Sequence, residues 1–190
     1  MVGGEQAFVD ARDWWGTPPP ALDRDEALAR LARRYLAGHG PARAADLAKW
    51  AGIPTGQAKR GLTAIAADLV ERPHGLVDLR GRKPAPPLPP PRLLGPFDPI
   101  LHGWVSREPF VGAHQGVVTS NGLFRAVALV DGRVVATWGL AGGRVTLRPL
   151  EPIPPDVADA LGADAGAVLH FLDLPDHQLP PLAQADENPL

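Results

Sequence analysis

Apolar positions between residues 25 and 69 recur at helical spacing. Leu28, Leu31, Tyr35 and Leu36 form a first stripe in EALARLARRYLAGHG, with Asp23 or Asp25 as its N-cap and Gly38 and Gly40 as its stop. Leu47, Ala48 and Ala51 mark a second helix from about Arg43 to Ala51, closed by the turn Gly52-Ile53-Pro54. Ala58, Leu62, Ile65 and Leu69 mark a third, from Thr55 to about Leu69, which turns Gln57, Lys59, Arg60 and Thr63 mostly toward water. The next segment, LVERPHGLVDLRG, reads as two short strands around a Pro-His-Gly turn. Three short helices and a hairpin in this order predict a winged helix-turn-helix, whose third helix enters a major groove while the hairpin touches the backbone beside it.

Beyond residue 92 the period changes. VVTS, LFRAVALV, RVVATWGL and RVTLRPL are strand-like, with hairpin signals at Asp131-Gly132 and Gly142-Gly143. An apolar helix over about 155–172 closes this part. Trp14 and Trp15 are too costly to leave in water and are expected to cap a core.

Proline then sets the boundaries. The 23 prolines cluster in TPPP (17–20), KPAPPLPPP (83–91) and EPIPPD (151–156), and such runs favour extended, semi-rigid connections. The expected fold class is α+β. It comprises an N-terminal arm (1–24), a winged helix-turn-helix (25–80), a Pro-rich linker (81–92), a β-rich α+β unit with a C-terminal helix (93–172) and an acidic flexible tail (173–190). The apolar fraction of 45% suits a globular chain, and no apolar run approaches the roughly 20 residues of a membrane span. The first residues carry neither the basic nor the apolar region of a secretory signal. The absence of cysteine excludes disulfides and thiolate metal sites, which fits a reducing cytoplasm.

Charge changes the picture more than composition does. The net charge is −2, yet residues 1–29 carry −4, 30–60 carry +6, 61–150 carry +4 and 151–190 carry −8. The +6 segment coincides with the helix-turn-helix pattern, which makes duplex DNA the expected partner. Lys59 and Arg60 are the leading contacts to phosphate or base, Gln57 is suited to adenine and Thr63 to phosphate. Arg33, Arg34, Arg43 and Lys49 add backbone neutralisation, Arg72 and Arg80 flank the wing, and His74 sits at its tip. The acidic tail offers a surface for a basic protein partner, or a DNA mimic that folds over the basic face.

The segments RRYLAGHGPARAADLAKWAGIP, LLGPFDPILHG and ALVDGRVVATW resemble the winged-helix DNA-binding family that includes the AlkZ/YcaQ-type bacterial DNA glycosylases, over roughly residues 10–172. The resemblance implies stacked winged-helix units, a curved DNA-binding body and excision of alkylated or cross-linked bases. It also implies a catalytic pair of glutamines separated by one apolar residue, carried in the N-terminal part of the family's longer members. The glutamines here, Gln6, Gln57, Gln115, Gln178 and Gln184, include no such pair. The chain therefore looks like the C-terminal half of that architecture. The expectation is a DNA-binding protein that is non-catalytic as an isolated chain, with a DNA glycosylase, or a fragment of one, as the alternative. A protein-interaction module is the second alternative.

Other chemistry finds little support. The six histidines lack metal-ligand spacing, no G-x-S-x-G accompanies Ser106, Ser120 or His114, and Gly142-Gly143 lacks the Lys-Ser/Thr of a phosphate loop. No cofactor is expected. Asp98 before Pro99 reads as a turn residue, and Arg107 and Glu108 as a surface pair. Trp138 reads as core packing, and Trp104 as either core or a stacking surface.

Overall fold

The computed structural model describes residues 8–18 and 21–174 of the protein. It is α+β and divides into two compact units, one of residues up to 44 plus 53–80, the other of 45–52 plus 81 onward. Most of the expected acidic tail, 175–190, lies outside the described residues. None of the helices is long and apolar enough to cross a membrane, among the described residues.

In the first unit a five-residue helix, α1 (Ala11–Trp15), is capped by the Asp10 carboxylate, which accepts from the Arg12 N–H at 2.8 Å. Trp14 and Trp15 remain 73% and 63% exposed, which overturns the expectation that they cap a core. The reason is local: Gly16, at φ 70°, ends the helix after little more than a turn, and none of its residues is buried.

Helix α2 (Arg24–His39) starts at Asp23, whose carboxylate accepts from the Asp25 and Glu26 N–H groups at 2.8 and 3.2 Å. These bonds hold the Asp23 carboxyl below its ordinary pKa. Leu28, Ala32, Tyr35 and Leu36 form its buried stripe. Against it packs α4 (Thr55–Ala64), through Ala58 and Gly61. A Cβ on Gly61 would lie 2.7 Å from the Leu28 carbonyl oxygen, so glycine permits the close approach of the two helices.

The third expected helix stops five residues early. Ile65, buried at φ −112° and ψ 16°, leaves the helix, Ala66–Asp68 form a 3₁₀ turn, and Leu69 already belongs to a strand. The expected hairpin is present: β1 (Leu69–Arg72) pairs antiparallel with β2 (Leu76–Leu79) from Leu69↔Leu79 to Arg72↔Leu76. Ala42 extends the pairing by exchanging two backbone hydrogen bonds with Val77, at 3.0 and 2.9 Å.

The second unit takes α3 (Ala44–Ala51) from residue 45 on, with Asp46, Leu47 and Ala48 buried. Its sheet has the antiparallel order β3 (Arg92–Leu94), β4 (Val127–Val130), β5 (Arg133–Ala141), β6 (Arg144–Pro149). One face is covered by α6 (Pro155–Phe171), whose Leu161, Ala165 and Leu169 recur every four residues against Leu93, Ala128, Val145 and Leu147. Burying each such leucine contributes roughly 1.5–3 kcal/mol. A bulge in β5 at Val135 lets Val134 face the other way, into a second cluster with Leu101, Val111, Val117 and Val127.

Both hairpin signals, at 131–132 and 142–143, mark real turns. One expectation fails here: residues 117–126, read as strand-like in VVTS and the start of LFRAVALV, form only one isolated bridge, Val118↔Phe124. Strand β3, which the sequence pattern did not announce, begins at the end of the proline run. Trp138 is half-buried against the α6 core, with Nε1 donating to the Leu94 carbonyl at 2.8 Å. Trp104 is half-buried against Phe110 of the four-residue helix α5 (Glu108–Val111), their ring centroids 5.0 Å apart. Asp98 accepts from the Ile100 N–H at 3.0 Å, the turn role read for it, while the preceding Phe97 sits at φ 60°. That left-handed conformation costs a residue with a Cβ roughly 1–2 kcal/mol.

Candidate nucleic-acid interface

Packing decides which side of α4 meets water. With Ala58, Gly61 and Ile65 inward, Lys59, Arg60 and Thr63 are exposed and Gln57 is half-buried. Lys59 and Thr63, four residues apart, share one face. Thr63 also edges a hollow of about 340 Å³ between α4 and the hairpin, lined further by Leu62, Ala66, Leu69, Glu71 and Val77.

The basic cluster is more neutralised than its local charge of +6 suggests. Arg60 is held by Asp25: Nη2 donates to Oδ2 at 2.7 Å, and Nε lies 2.5 Å from Oδ1 as an ionic contact. Arg33 pairs with Asp68, and Arg30 with Glu26 one turn away at 2.6 Å. Arg43 donates from Nε and Nη2 to the His74 carbonyl at 3.1 and 2.8 Å, tying the turn of the hairpin to the segment before α3. His74 reaches that position with φ 62°, followed by Gly75 at φ 71°. Arg72 lies 3.9 Å from the buried Asp78, and Arg80 donates to the Leu69 carbonyl at 2.8 Å. Arg34 and Lys59 are exposed, with no ion pair among the described residues.

Lys49 is the outlier. It belongs to the second unit, where Nζ donates to the Trp104 and Val105 carbonyls, both at 3.3 Å. Desolvation, then the nearby Arg107 charge, holds its pKa below the ordinary lysine value, partly offset by Asp46. Beside it the Asp46 carboxylate accepts from the Val105 N–H at 2.9 Å.

The first unit thus brings Gln57, Lys59, Arg60 and Thr63 together on α4, Arg33 and Arg34 on α2, and Arg72 and His74 on the hairpin. Sequence reasoning passed over a basic surface of the second unit. On β6, Arg144, Thr146 and Arg148 alternate with the buried Val145 and Leu147, and the strand period of two in RVTLRP carries that signal. Among the described residues no three His, Asp or Glu side chains gather into a set that could hold a metal ion.

A family model described as DNA glycosylase AlkZ-like matches residues 2–171, and the chain belongs to that family. Among solved structures, the Streptomyces sahachiroi DNA glycosylase AlkZ shares the fold with a TM-score of 0.71 at 20% identity. The match covers 88% of this chain and 48% of that one, so the chain spans about half the length of AlkZ. No curated protein matches the sequence.

Proposed function

We propose that the chain works in base excision as a DNA glycosylase of the alkylation or cross-link repair type, or as the DNA-holding part of one. The observation that carries this reading is membership of the AlkZ-like DNA glycosylase family over residues 2–171. The region is nearly the whole sequence.

The physical account begins at α4. In the proposed winged-helix arrangement this helix meets the major groove, where Lys59 neutralises a phosphate, Thr63 bonds a phosphate oxygen and Gln57 reaches a base edge. Arg60 joins them only when a phosphate outcompetes Asp25. Arg34, Arg72 and His74 contact the backbone on either side.

Fluorescence anisotropy with a labelled duplex, intact and with one abasic-analogue site, tests the reading across a salt series. Expected are salt-sensitive binding to both and tighter binding to the abasic analogue, because phosphate neutralisation releases counterions and the analogue resembles an excision product. No binding at low salt overturns it.

A further inference from the structure

The second unit carries an aromatic cluster and a basic groove that the duplex contacts above do not use. The groove, about 700 Å³, opens on the face of the sheet away from α6 and is lined by Pro96, Arg125, Thr137, Gly139, Thr146 and Arg148. Its size lies within the range of small-ligand sites. In the β5–β6 register Thr137 faces Arg148 and Gly139 faces Thr146, so the floor stays low where glycine stands. Arg125 and Arg148 are exposed and form no ion pair among the described residues.

The cluster adjoins this groove along the chain, since Phe97 follows Pro96 and Phe124 precedes Arg125. Phe97 lies near-parallel to His102, with centroids 6.0 Å apart and 15° between planes, and 5.7 Å from Phe124. Phe124 is 4.1 Å from His102 and carries the Arg107 guanidinium 4.8 Å from its centroid. The Arg107 Nε is fixed on the Leu101 carbonyl at 2.8 Å. His102 Nε2 is shielded from water and has no hydrogen-bond partner.

Phe97 is the telling residue. It holds a left-handed backbone, an unfavourable state for a side chain of this size, yet leaves 52% of its surface in water. Burial alone does not account for that strain. A half-exposed ring packed on His102 and Phe124, one residue along the chain from a groove lined by two unpaired arginines, is the pairing by which proteins hold unstacked nucleotides: a base on the aromatic face, phosphates on the basic groove.

We propose that this surface binds an unstacked nucleotide of single-stranded DNA, with its base on Phe97 and its flanking phosphates on Arg125 and Arg148. The inference rests on the reading that the chain acts on DNA, and it adds a single-strand site to the duplex grip. The charge complementarity of the arginines selects a polyanion, and the ring selects one that carries bases.

The test compares binding of the whole chain to a short fluorescent oligothymidylate and to a duplex. A second probe, a single strand containing 2-aminopurine, reports stacking by quenching. Phe97→Asn keeps a residue that tolerates the left-handed backbone; it should weaken single-strand binding about tenfold and abolish the quenching. Thermal unfolding of the same variant checks that it folds. Arg125→Gln with Arg148→Gln should lower the single-strand salt slope by about 1.4, while Lys59→Gln weakens only the duplex. Wild-type affinity in both the Phe97 and the double arginine variant overturns the site. Duplex binding without single-strand binding overturns it while the proposed function stands, and binding to neither removes both.

Discussion

Arg60 and Asp25, 35 positions apart, face each other as a two-point ion pair between α4 and the start of α2, with the guanidinium Nη2 2.7 Å from Oδ2. The pair is well exposed, at 60% and 46%, so its contribution to folding is small, on the order of 0–1 kcal/mol. Its larger effect is on charge, because a cation committed to a carboxylate is not offered to phosphate. Asp25→Asn should therefore tighten duplex binding and steepen its salt slope by about 0.9, one phosphate's worth, with almost unchanged unfolding. Anisotropy titrations at several salt concentrations measure the slope.

The contact between Gly61 and the Leu28 carbonyl gives a stability prediction. Gly61→Ala places a methyl 2.7 Å from a backbone oxygen that cannot swing aside, so α2 and α4 must separate. The expected loss is about 1–3 kcal/mol by urea unfolding. Gly56→Ala, on the same helix with nothing within 4 Å, is the control and should be neutral or stabilising.

These two relationships show what the sequence discloses. The helical stripes around Leu28 and Ala58 were legible because burial repeats with the turn of a helix, and Asp131-Gly132 because its hairpin geometry demands such residues. The end of α4 was not legible. Leu69 continues the helical spacing, and no glycine or proline separates it from Ala64; what ends the helix is tertiary, the burial of Ile65 and the docking of Asp68 on Arg33. Strand β3 was hidden for the same reason, since three residues after a proline run show no period. At the candidate interface, the basic character of residues 30–60 could be read directly. That Asp25 and Asp68, distant in sequence, would claim Arg60 and Arg33 could not.

Asp164 on α6 is a single-residue junction. Its Oδ2 accepts from the Leu93 N–H at 2.7 Å and its Oδ1 from Arg92 Nη1 at 2.8 Å, with only 10% of the side chain exposed. Asp164→Ala strands the N–H of a buried residue, and a loss of roughly 1–3 kcal/mol is expected. Asp164→Asn keeps an acceptor and should lose less. Thermal unfolding of the two variants ranks them.

The α2 cap predicts a pH effect of definite sign. Asp23 has its pKa lowered by the Glu26 and then the Asp25 N–H bonds, so the folded state releases that proton at lower pH than the unfolded chain does. The stability it contributes is fully present above the ordinary carboxylate value of 3.8 and is lost as pH falls through the folded pKa. Asp23→Asn, which caps without ionising, should flatten that part of the acid-unfolding curve. Parallel acid titrations followed by circular dichroism test it.

The Asp164 junction also bears on how the protein behaves in a crowded solution. Strand β3 is one border of the four-stranded sheet, and β6, with Arg144, Arg148 and the donor-less Pro149, is the other. At the first border the Leu93 N–H is already taken by a helix; at the second, charge and proline deter a newcomer. The first border is thus short and partly taken and the second guarded by charge and a terminal proline, so the sheet resists growing from one molecule into the next as concentration rises.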